Sequence, residues 1–287
     1  MNDKVHYELT DGVAVITIDN PPVNALGHAV RQGLWEAIDR FAAEDAAQAA
    51  LILGAGKLFL GGADISEFGK PPKDPWLPEV VNHVEAAPKP VVCAIQGAAL
   101  GGGLEIALGC HYRLAMKGAK LGLPEVNLGI IPGAGGTQRM PRVAGVKAAL
   151  EVIPAGGTVS AERAVEIGLA DKLADGDPRE AGLAYAKELI EAGAAPRPVG
   201  KLACPQHDEA AFAEARALWS KKNRGEVARL ASIDAVEAAT RLEIEPGLAE
   251  ERRIFSEMME TPQRAGLIHA FFIERKTAKL PEIEGVA

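Results

Sequence analysis

The sequence has few cysteines, and their spacing suits neither a disulfide framework nor a metal site. The three thiols, Cys93, Cys110 and Cys204, are odd in number and far apart. This usage is typical of reduced thiols in a cytosol-like compartment. The N-terminal segment is polar and carries no apolar block of the secretion type, and the last residues form no targeting address that we recognise. These features predict a cytoplasmic location.

Basic runs and long apolar runs are also missing. The 287 residues include 31 Lys and Arg against 39 Asp and Glu, which gives a formal net charge of −8. A nucleic-acid-binding surface would require clustered basic residues, which this sequence lacks. No window reaches the length of a membrane-spanning helix. We therefore expect a globular protein that binds neither nucleic acid nor a membrane.

Several catalytic and cofactor-binding motifs are absent as well. A dinucleotide-binding G-x-G-x-x-G motif would need a glycine five residues after its first, but Gln138 stands at that distance from Gly133. Gly56-Lys57-Leu58 lacks the Ser or Thr that ends a P-loop. There is no Gly-x-Ser-x-Gly elbow, and the six histidines form no metal-spaced pair. We therefore expect no metal, no cofactor and no serine hydrolysis.

What the sequence does contain is a recurring order of apolar strand, glycine-rich turn and helix. Asp11-Gly12 predicts a hairpin between strands at 5–9 and 13–19. Apolar strands at 50–53 and 91–95 each precede a glycine-rich segment. This order predicts an α/β architecture with buried sheets. Other predicted elements are a strand at 112–116 and helices near 30–41, 79–86 and 146–153, with a further helix capped by Ser160.

The composition changes after residue 194. Residues 195–200 contain two prolines and a glycine and indicate a linker. Beyond it only helical patterns occur, at about 209–223, 226–242, 247–260 and 263–278. We therefore predict a catalytic core at 1–195 and an all-helical C-terminal region at 196–287. The last predicted helix carries four apolar residues that need to be covered, Leu267, Ile268, Phe271 and Phe272.

Two acids beside glycine-rich segments are candidates for catalysis. Glu105 follows three glycines, at 101–103, which predict a turn into a helix with free N–H groups. Taken alone, Glu105 would be explained as a carboxylate that interacts with the helix dipole, and Glu125 as a surface or capping carboxylate. The glycine turns alone would be explained by tight packing of strand against helix. Only the combination favours a catalytic site.

Three separated motifs resemble the enoyl-CoA hydratase/isomerase (crotonase) superfamily. They are FLGGADI at 59–65, QGAALGGGLE at 96–105 and LPEVNLGIIPGAGGTQR at 123–139, in that order. The resemblance covers about residues 5–195. The tail, at 270–276 and 280–281, is similar to the linker helix that precedes the dehydrogenase part of peroxisomal-type bifunctional enzymes of fatty-acid β-oxidation. Residues 109–113 resemble the same subgroup.

The resemblance implies a crotonase-like α/β fold, a spiral of repeated ββα units, which binds an acyl-CoA thioester. The oxyanion hole of the family maps onto the backbone N–H groups of Ala63 and Gly102, and its two carboxylates map onto Glu105 and Glu125. Each N–H donor would stabilise the thioester enolate by about 3 kcal/mol. The CoA moiety is expected along Val23, Ala25 and Leu26 and against the backbone of Gly61, Asp64 and Ile65.

The implied activity is that of an enoyl-CoA hydratase, which adds water to trans-2-enoyl-CoA in fatty-acid β-oxidation. Because both carboxylates are present, we expect hydration first and Δ3,Δ2-enoyl-CoA isomerisation second, with Glu125 moving a proton between carbons 2 and 4. The acyl pocket is expected to border residues 66–82. One alternative is an isomerase-dominant or CoA-thioester hydrolase crotonase. The other is a non-catalytic crotonase fold that binds acyl-CoA or RNA.

The resemblance to bifunctional enzymes leaves two kinds of assembly open. The sequence has no NAD fingerprint and no dehydrogenase half, so it is either a fragment of a longer protein or a stand-alone hydratase with a similar tail. If the last helix folds back over its own active site, the chain is expected to be a monomer. Otherwise its apolar residues predict the contacts of a homotrimer.

Overall fold

A computed structural model describes residues 2–67, 69–71, 73–223 and 225–277. The chain opens with the predicted hairpin, in which strand β1 (Val5–Thr10) pairs antiparallel with β2 (Val13–Ile18). The two connecting residues, Asp11 and Gly12, have φ angles of 50° and 80°. A two-residue turn with both φ angles positive matches the right-handed twist of the strands, which explains the Asp-Gly pair.

Within the described residues, nine strands form two sheets. The strands after the hairpin are β3 (Ala49–Gly54), β4 (Val91–Ile95), β5 (Ala98–Leu100), β6 (Tyr112–Met116), β7 (Lys120–Gly122), β8 (Thr158–Ser160) and β9 (Lys172–Ala174). The six-stranded sheet has the order β1-β2-β3-β4-β6-β9, and every pair after the hairpin is parallel. All residues of β3 and β4 are buried, as expected for parallel strands covered on both faces. A three-stranded sheet, β5-β7-β8, lies apart from it.

Seven helices of the described ranges accompany these strands. They are α1 (His28–Ala43), α2 (Leu77–Glu85), α3 (Gly102–Gly109), α4 (Gly136–Ala144), α5 (Val146–Val152), α6 (Ala161–Glu166) and α7 (Pro178–Glu191). Helix α1 buries four apolar residues whose helical spacing predicted it, Val30, Leu34, Ile38 and Phe41. Ser160 accepts a hydrogen bond from the N–H of Arg163 at 3.2 Å, which confirms the predicted cap of α6. The helix α4 was not predicted, because it begins inside a glycine-rich loop and contains Pro141.

The C-terminal region is helical, as predicted. It consists of α8 (Ala210–Lys222), α9 (Val227–Arg241), α10 (Ile244–Met259) and α11 (Pro262–Thr277). Phe212 of α8 and Ile233 of α9 join the same buried cluster as the strands and α1. These helices therefore pack directly on the α/β part, and the boundary at residue 195 stays a prediction. The predicted end of the last helix at 278 and the tail motif at 280–281 lie outside the described residues.

The whole is a mixed α/β fold with a helical C-terminal region. Within the described ranges, no helix combines the length and the apolar character needed to cross a bilayer.

Candidate active site

The glycines that begin helix α3 bring two of the predicted site residues close together. Gly101 has a φ of 53°, and a Cβ at this position would lie 2.9 Å from Oε1 of Glu125. A Cβ at Gly102 would lie 3.3 Å from the backbone nitrogen of Ala63. The chain therefore needs glycine here, because the backbone runs past the Glu125 carboxyl group on one side and the Ala63 segment on the other.

The backbone N–H groups of Ala63 and Gly102 lie on neighbouring segments. In the part of the chain that the structure describes, neither N–H donates to a protein acceptor. Gly102 is the first residue of α3, where the N–H groups have no partner within the helix. Two free donors beside a helix N-terminus can bind an oxygen atom that carries negative charge.

Glu105 lies in the first turn of α3 and is only 3% exposed. Its Oε1 accepts the backbone N–H groups of Ala134 at 2.7 Å and Gly136 at 2.9 Å. Its Oε2 accepts no hydrogen bond from the described residues. Burial raises the pKa of Glu105, and the two N–H groups and the nearby Arg139 oppose that rise.

Glu125 begins a 3-10 turn, Glu125–Leu128. Its Oε2 is buried, and no described residue donates to it. Burial, followed by the negative charge of Glu105, raises the pKa of Glu125 well above its usual value. Two carboxyl groups that share a site do not both ionise easily. Since Glu105 has the backbone donors, the proton is favoured on Glu125.

A third carboxyl group, Glu251 of helix α10, also reaches this site, and the sequence analysis missed it. It is 1% exposed and accepts the N–H groups of Gly135 at 2.6 Å and Thr137 at 2.9 Å. The Thr137 hydroxyl donates to the same carboxyl group at 2.5 Å. Burial and then the charge of Glu105 raise the pKa of Glu251 to about 8. A sequence signal did exist, since Glu251 stands four residues from both Gly247 and Phe255, on one helix face.

A buried ion pair also holds loop 134–137, whose N–H groups donate to Glu105 and Glu251. The guanidinium of Arg139 is fully buried and donates to Oε2 of Glu85 at 2.8 Å and to Oδ1 of Asn82 at 2.7 Å. It also donates to the backbone oxygen of Ala134 at 3.3 Å. Helix α2, which carries Asn82 and Glu85, is thereby tied to the loop that contacts Glu105.

The residues expected to contact CoA lie side by side. The N–H of Gly61 donates to the oxygen of Val23, and the N–H of Leu26 donates to the oxygen of Gly62, both at 2.8 Å. Leu26 and Ala63 also pair in a parallel bridge. The segments 22–27 and 60–65 therefore run side by side, and the free N–H of Ala63 lies in the second of them. Ala25, Asp64 and Ile65 are half-buried in the same two segments.

The stretch expected to border the acyl pocket approaches the two free N–H groups. Leu77, the first residue of α2, places its Cδ2 2.6 Å from the position of a Cβ at Gly102. Trp76, which precedes it, packs on the guanidinium of Arg252 at 5.2 Å. A helix of the C-terminal region therefore reaches the pocket border as well. Residues 68 and 72 of this stretch lie outside the described residues.

The last helix, α11, covers the turn that carries Glu125. A Cβ at Gly129 would lie 2.9 Å from Cα of Arg264 and 3.2 Å from Cδ1 of Leu267. Part of the predicted apolar patch is therefore used inside the chain. Phe272 remains 37% exposed and Ile273 remains 46% exposed.

Metal ligands form no cluster in the described ranges, since no group of three or more His, Cys, Asp or Glu residues could hold an ion there.

Comparison with known proteins identifies the family of the chain. The family model described as enoyl-CoA hydratase/isomerase matches residues 8–198. The chain belongs to the enoyl-CoA hydratase/isomerase family. The match contains Ala63, Gly102, Glu105 and Glu125 but ends before α8, so Glu251 lies outside it.

Relatives of this family member extend the similarity into the C-terminal helices. A peroxisomal bifunctional enzyme of Danio rerio is 42% identical over 276 residues, which cover 95% of this chain and 38% of the relative. A peroxisomal fatty acid β-oxidation multifunctional protein of Oryza sativa is 38% identical, and the matched part of this chain covers 40% of its length. The chain thus spans about two fifths of the length of these relatives.

A solved structure supports the fold of this family member. Carnitinyl-CoA hydratase from Mycobacterium avium superposes with a TM-score of 0.71 at 28% identity, covering 96% of this chain and 97% of that one. The predicted crotonase-like fold is therefore confirmed.

The predicted cytoplasmic location is wrong, as the comparison with the sequence relatives shows. The relatives are named as peroxisomal proteins, which contradicts the prediction. The prediction failed because it was drawn from unpaired cysteines and missing signals. Free thiols indicate only that disulfides are not needed, and they do not distinguish one reducing compartment from another.

Proposed function

We propose that this chain is an enoyl-CoA hydratase that converts trans-2-enoyl-CoA to 3-hydroxyacyl-CoA in fatty-acid β-oxidation. The observation that carries the proposal is the pairing of two unlike carboxyl groups with two free backbone donors. Glu105 has backbone hydrogen bonds that favour its ionised form, whereas Glu125 has a buried, unpartnered oxygen. The N–H groups of Ala63 and Gly102 lie beside them.

The two N–H groups act on the thioester oxygen. When a hydroxyl group adds to carbon 3, negative charge moves through carbon 2 to that oxygen, and an enolate develops. Ala63 and Gly102 donate to this oxygen, and the positive end of α3 adds to their effect. Donors of this kind are worth roughly 3 kcal/mol each in the transition state.

The two carboxyl groups handle the protons. Glu105 accepts a proton from water through its free Oε2 while the water oxygen bonds to carbon 3. Protonated Glu125 gives its proton to carbon 2 as the enolate collapses. Each role contributes about 10² to 10⁴ in rate. Transfer of one proton from Glu105 to Glu125 through water restores the starting state, so the net reaction consumes one water and no other reactant.

The substrate fits along the paired segments that end at Ala63. The CoA part lies along Val23, Ala25 and Leu26 and against the backbone of Gly61, Asp64 and Ile65, as the family resemblance implies. The acyl chain runs toward Leu77 and residues 66–82. The reaction is an acid–base addition to a thioester, so we expect it to need no cofactor beyond the CoA of the substrate.

A second activity, Δ3,Δ2-enoyl-CoA isomerisation, follows from the position of Glu125. Its carboxyl group can remove a proton at one end of the allylic system and return it at the other, while the N–H groups hold the same enolate. This reaction does not require an activated water. We therefore expect isomerisation to depend on Glu125 much more than on Glu105.

We also propose that the chain acts as a monomer and as the hydratase part of a longer bifunctional protein. The packing of α11 on the Glu125 turn supports the first statement, because this helix contacts a turn of its own chain. The share of the relatives' length that the chain spans supports the second. Light scattering of the purified chain tests the first, since a trimer would contradict it.

The test of function is hydration of crotonyl-CoA, followed as loss of its ultraviolet absorbance. We expect turnover by the wild-type chain and a loss of 10² or more in kcat for Glu105→Gln. Glu191→Gln, an exposed residue at the end of α7, is the matched control and should retain full activity. If the folded wild-type chain shows no turnover, a non-catalytic acyl-CoA-binding role takes the place of this proposal. Release of free CoA would instead indicate a thioester hydrolase.

A further inference from the structure

The C-terminal region contributes a buried carboxyl group to the loop that holds Glu105, and the proposed proton transfers make no use of it. Four consecutive N–H groups of residues 134–137 alternate between two acceptors. The first and third donate to Glu105 at 2.7 and 2.9 Å. The second and fourth donate to Glu251 at 2.6 and 2.9 Å. The loop is thus held between two carboxyl groups.

This alternation couples the two acceptors mechanically. Peptide planes are rigid, so fixing the N–H groups of Gly135 and Thr137 restrains the planes between them. Gly135 also has a φ of 100°, which glycine adopts as readily as a negative φ, so its conformation is selected by the hydrogen bonds of the loop and not by steric limits. Glu251 therefore helps to determine where the N–H groups of Ala134 and Gly136 point.

The helix that carries Glu251 is itself fixed along the loop. Gly247, Glu251 and Phe255 follow each other at intervals of four residues and so share one face of α10. A Cβ at Gly247 would lie 2.4 Å from Oε1 of Gln138, and a Cβ at Gly133 would lie 2.5 Å from Cδ2 of Phe255. Glu251 thus stands between two close contacts and has little freedom to move away.

We propose that Glu251 is a positioning residue of the active site, which holds loop 134–137 so that two of its N–H groups stay aimed at Glu105. The proposal deepens the function proposed above and rests on the role of Glu105 as the base. It also makes helix α10 a part of the active site. The sequence-based boundary at residue 195 would separate these two carboxyl groups.

The charges around Glu251 agree with this role. Burial and the charge of Glu105 raise its pKa, and the donors from Gly135 and Thr137 oppose the rise. Glu251 in turn contributes to the raised pKa of Glu125. The cations near Glu105 are Arg139 from α4 and Arg252 from α10. The three carboxyl groups therefore titrate as a linked set.

Glu251→Gln is the variant that tests the proposal. A carboxyl group can accept hydrogen bonds on both oxygens, whereas an amide accepts on one and donates from the other. Whichever way the Gln side chain turns, one of the two loop N–H groups loses its acceptor. Glu250→Gln is the matched control, because Glu250 is the preceding residue of the same helix and its carboxylate pairs with Arg253 on the outer side.

The first readout is kinetic. We expect Glu251→Gln to lower kcat for crotonyl-CoA by about 10² relative to Glu250→Gln, since a small misplacement of a catalytic group has this effect. KM should change little, because Glu251 does not lie along the CoA segments. The acid limb of the rate profile should move to higher pH, since a misaligned loop stabilises ionised Glu105 less. A purely structural role would reduce the folded fraction and leave both kcat per folded molecule and the limb unchanged.

The second readout does not depend on turnover. Amide ¹H–¹⁵N shifts of Ala134 and Gly136, followed against pH, report on Glu105 directly. We expect their titration midpoint to rise in Glu251→Gln and to match the wild type in Glu250→Gln. An unchanged midpoint together with an unchanged kcat would overturn the proposal. If the wild type titrates as expected yet hydrates nothing, the proposed function fails while the positioning role stands.

A milder variant covers the case in which Glu251→Gln does not fold. Thr137→Val removes the hydroxyl that donates to Glu251 at 2.5 Å and keeps the shape of the side chain. We expect the same changes in kcat and in the Ala134 and Gly136 shifts, with smaller size. A folded Thr137→Val protein that matches the wild type in both readouts would overturn the proposal.

Discussion

Oε1 of Glu125 lies 2.9 Å from the position that a Cβ of Gly101 would occupy. The glycine-rich turn before α3 therefore passes directly beside the carboxyl group that we propose as the proton donor. The next two glycines have other constraints. Gly102 faces the Ala63 nitrogen, and a Cβ at Gly103 would lie 2.3 Å from the backbone oxygen of Leu60.

These constraints predict different outcomes for two alanine substitutions. In Gly102→Ala the new methyl meets Cδ2 of Leu77 at 2.6 Å, a flexible side-chain end that can move. We expect this variant to fold and to lose about 10² to 10³ in kcat, because the methyl enters the space in front of the two donors. Crotonyl-CoA hydration and thermal unfolding measure the two properties.

Gly103→Ala is the contrasting variant. Its methyl meets the backbone of Leu60, which cannot move without shifting the chain, so we expect a loss of stability of roughly 1–3 kcal/mol. If Gly102→Ala were fully active, the assignment of its N–H to the thioester oxygen would be wrong.

The sequence predicted the turn but not the separate reasons for its glycines. Three consecutive glycines indicate that the backbone lies very close to other groups, but the local sequence does not show which groups these are. Glu125 and Ala63 were paired with this turn only through the family resemblance. The hairpin, α1 and the C-terminal helices were predictable because their signals are local, as in Asp11-Gly12 and the apolar spacing of residues 30–41.

Glu251 could not be assigned because its partners are more than 110 residues away. A helical pattern shows which residues share a face, but not what lies against that face. An acid between Gly247 and Phe255 is a hint of burial, since charged residues are rarely buried without a partner. Recognising the partner required the loop to be placed in three dimensions.

The roles of the two predicted carboxyl groups can be separated by comparing two reactions. Glu125→Gln removes the proton donor of hydration and the proton carrier of isomerisation, so we expect both rates to fall by 10² to 10⁴. Glu105→Gln removes only the activation of water. We expect it to lower hydration by a similar factor and to change isomerisation of 3-enoyl-CoA by less than about tenfold.

Both rates should be measured on the same protein preparations, with Glu191→Gln as the control. Equal loss of both reactions in Glu105→Gln would show that Glu105 is not specific to the water step. Retention of hydration in Glu125→Gln would remove Glu125 from the mechanism.

The buried Glu251 predicts how the stability of the protein depends on pH. Its pKa is raised from the usual 4.5 to about 8 in the folded chain. Between these values the unfolded chain releases a proton that the folded chain keeps, so stability falls as pH rises. One such group contributes at most about 1.4 kcal/mol per pH unit. We expect urea midpoints to decrease from about pH 5 to pH 8.

Glu251→Gln removes this group from the titration. In the same pH window, the slope of the free energy of unfolding against pH should become shallower by the equivalent of up to one bound proton. The curve of Glu250→Gln should be parallel to that of the wild type. Parallel curves for wild type and Glu251→Gln would mean that Glu251 is ionised throughout, and its pKa would then not be raised.

Arg31 of α1 holds the stretch beside the acyl pocket, and its contacts predict what a substitution would do. Arg31 is only 7% exposed. Its guanidinium donates to the backbone oxygens of Leu26, Lys73 and Pro75 at 2.8–3.1 Å and to the carboxylate of Glu67 at 2.7 Å. No ammonium group can reach all four acceptors, because Arg presents its donors in a fixed planar fork. We expect Arg31→Lys to free Glu67, Lys73 and Pro75 and to raise KM for crotonyl-CoA several-fold, with kcat less affected.

Hydrogen exchange of the backbone between residues 67 and 75 measures this release, together with KM. Buried carbonyl groups that lose a donor cost about 1–3 kcal/mol, so thermal stability should fall as well. Arg40→Lys is the control on the same helix, where the side chain is half exposed and pairs, among the acidic groups of the described residues, with Glu44 at 3.6 Å. Because Leu26 belongs to the proposed CoA segment, unchanged KM and exchange in Arg31→Lys would show that this segment and the loop are held independently.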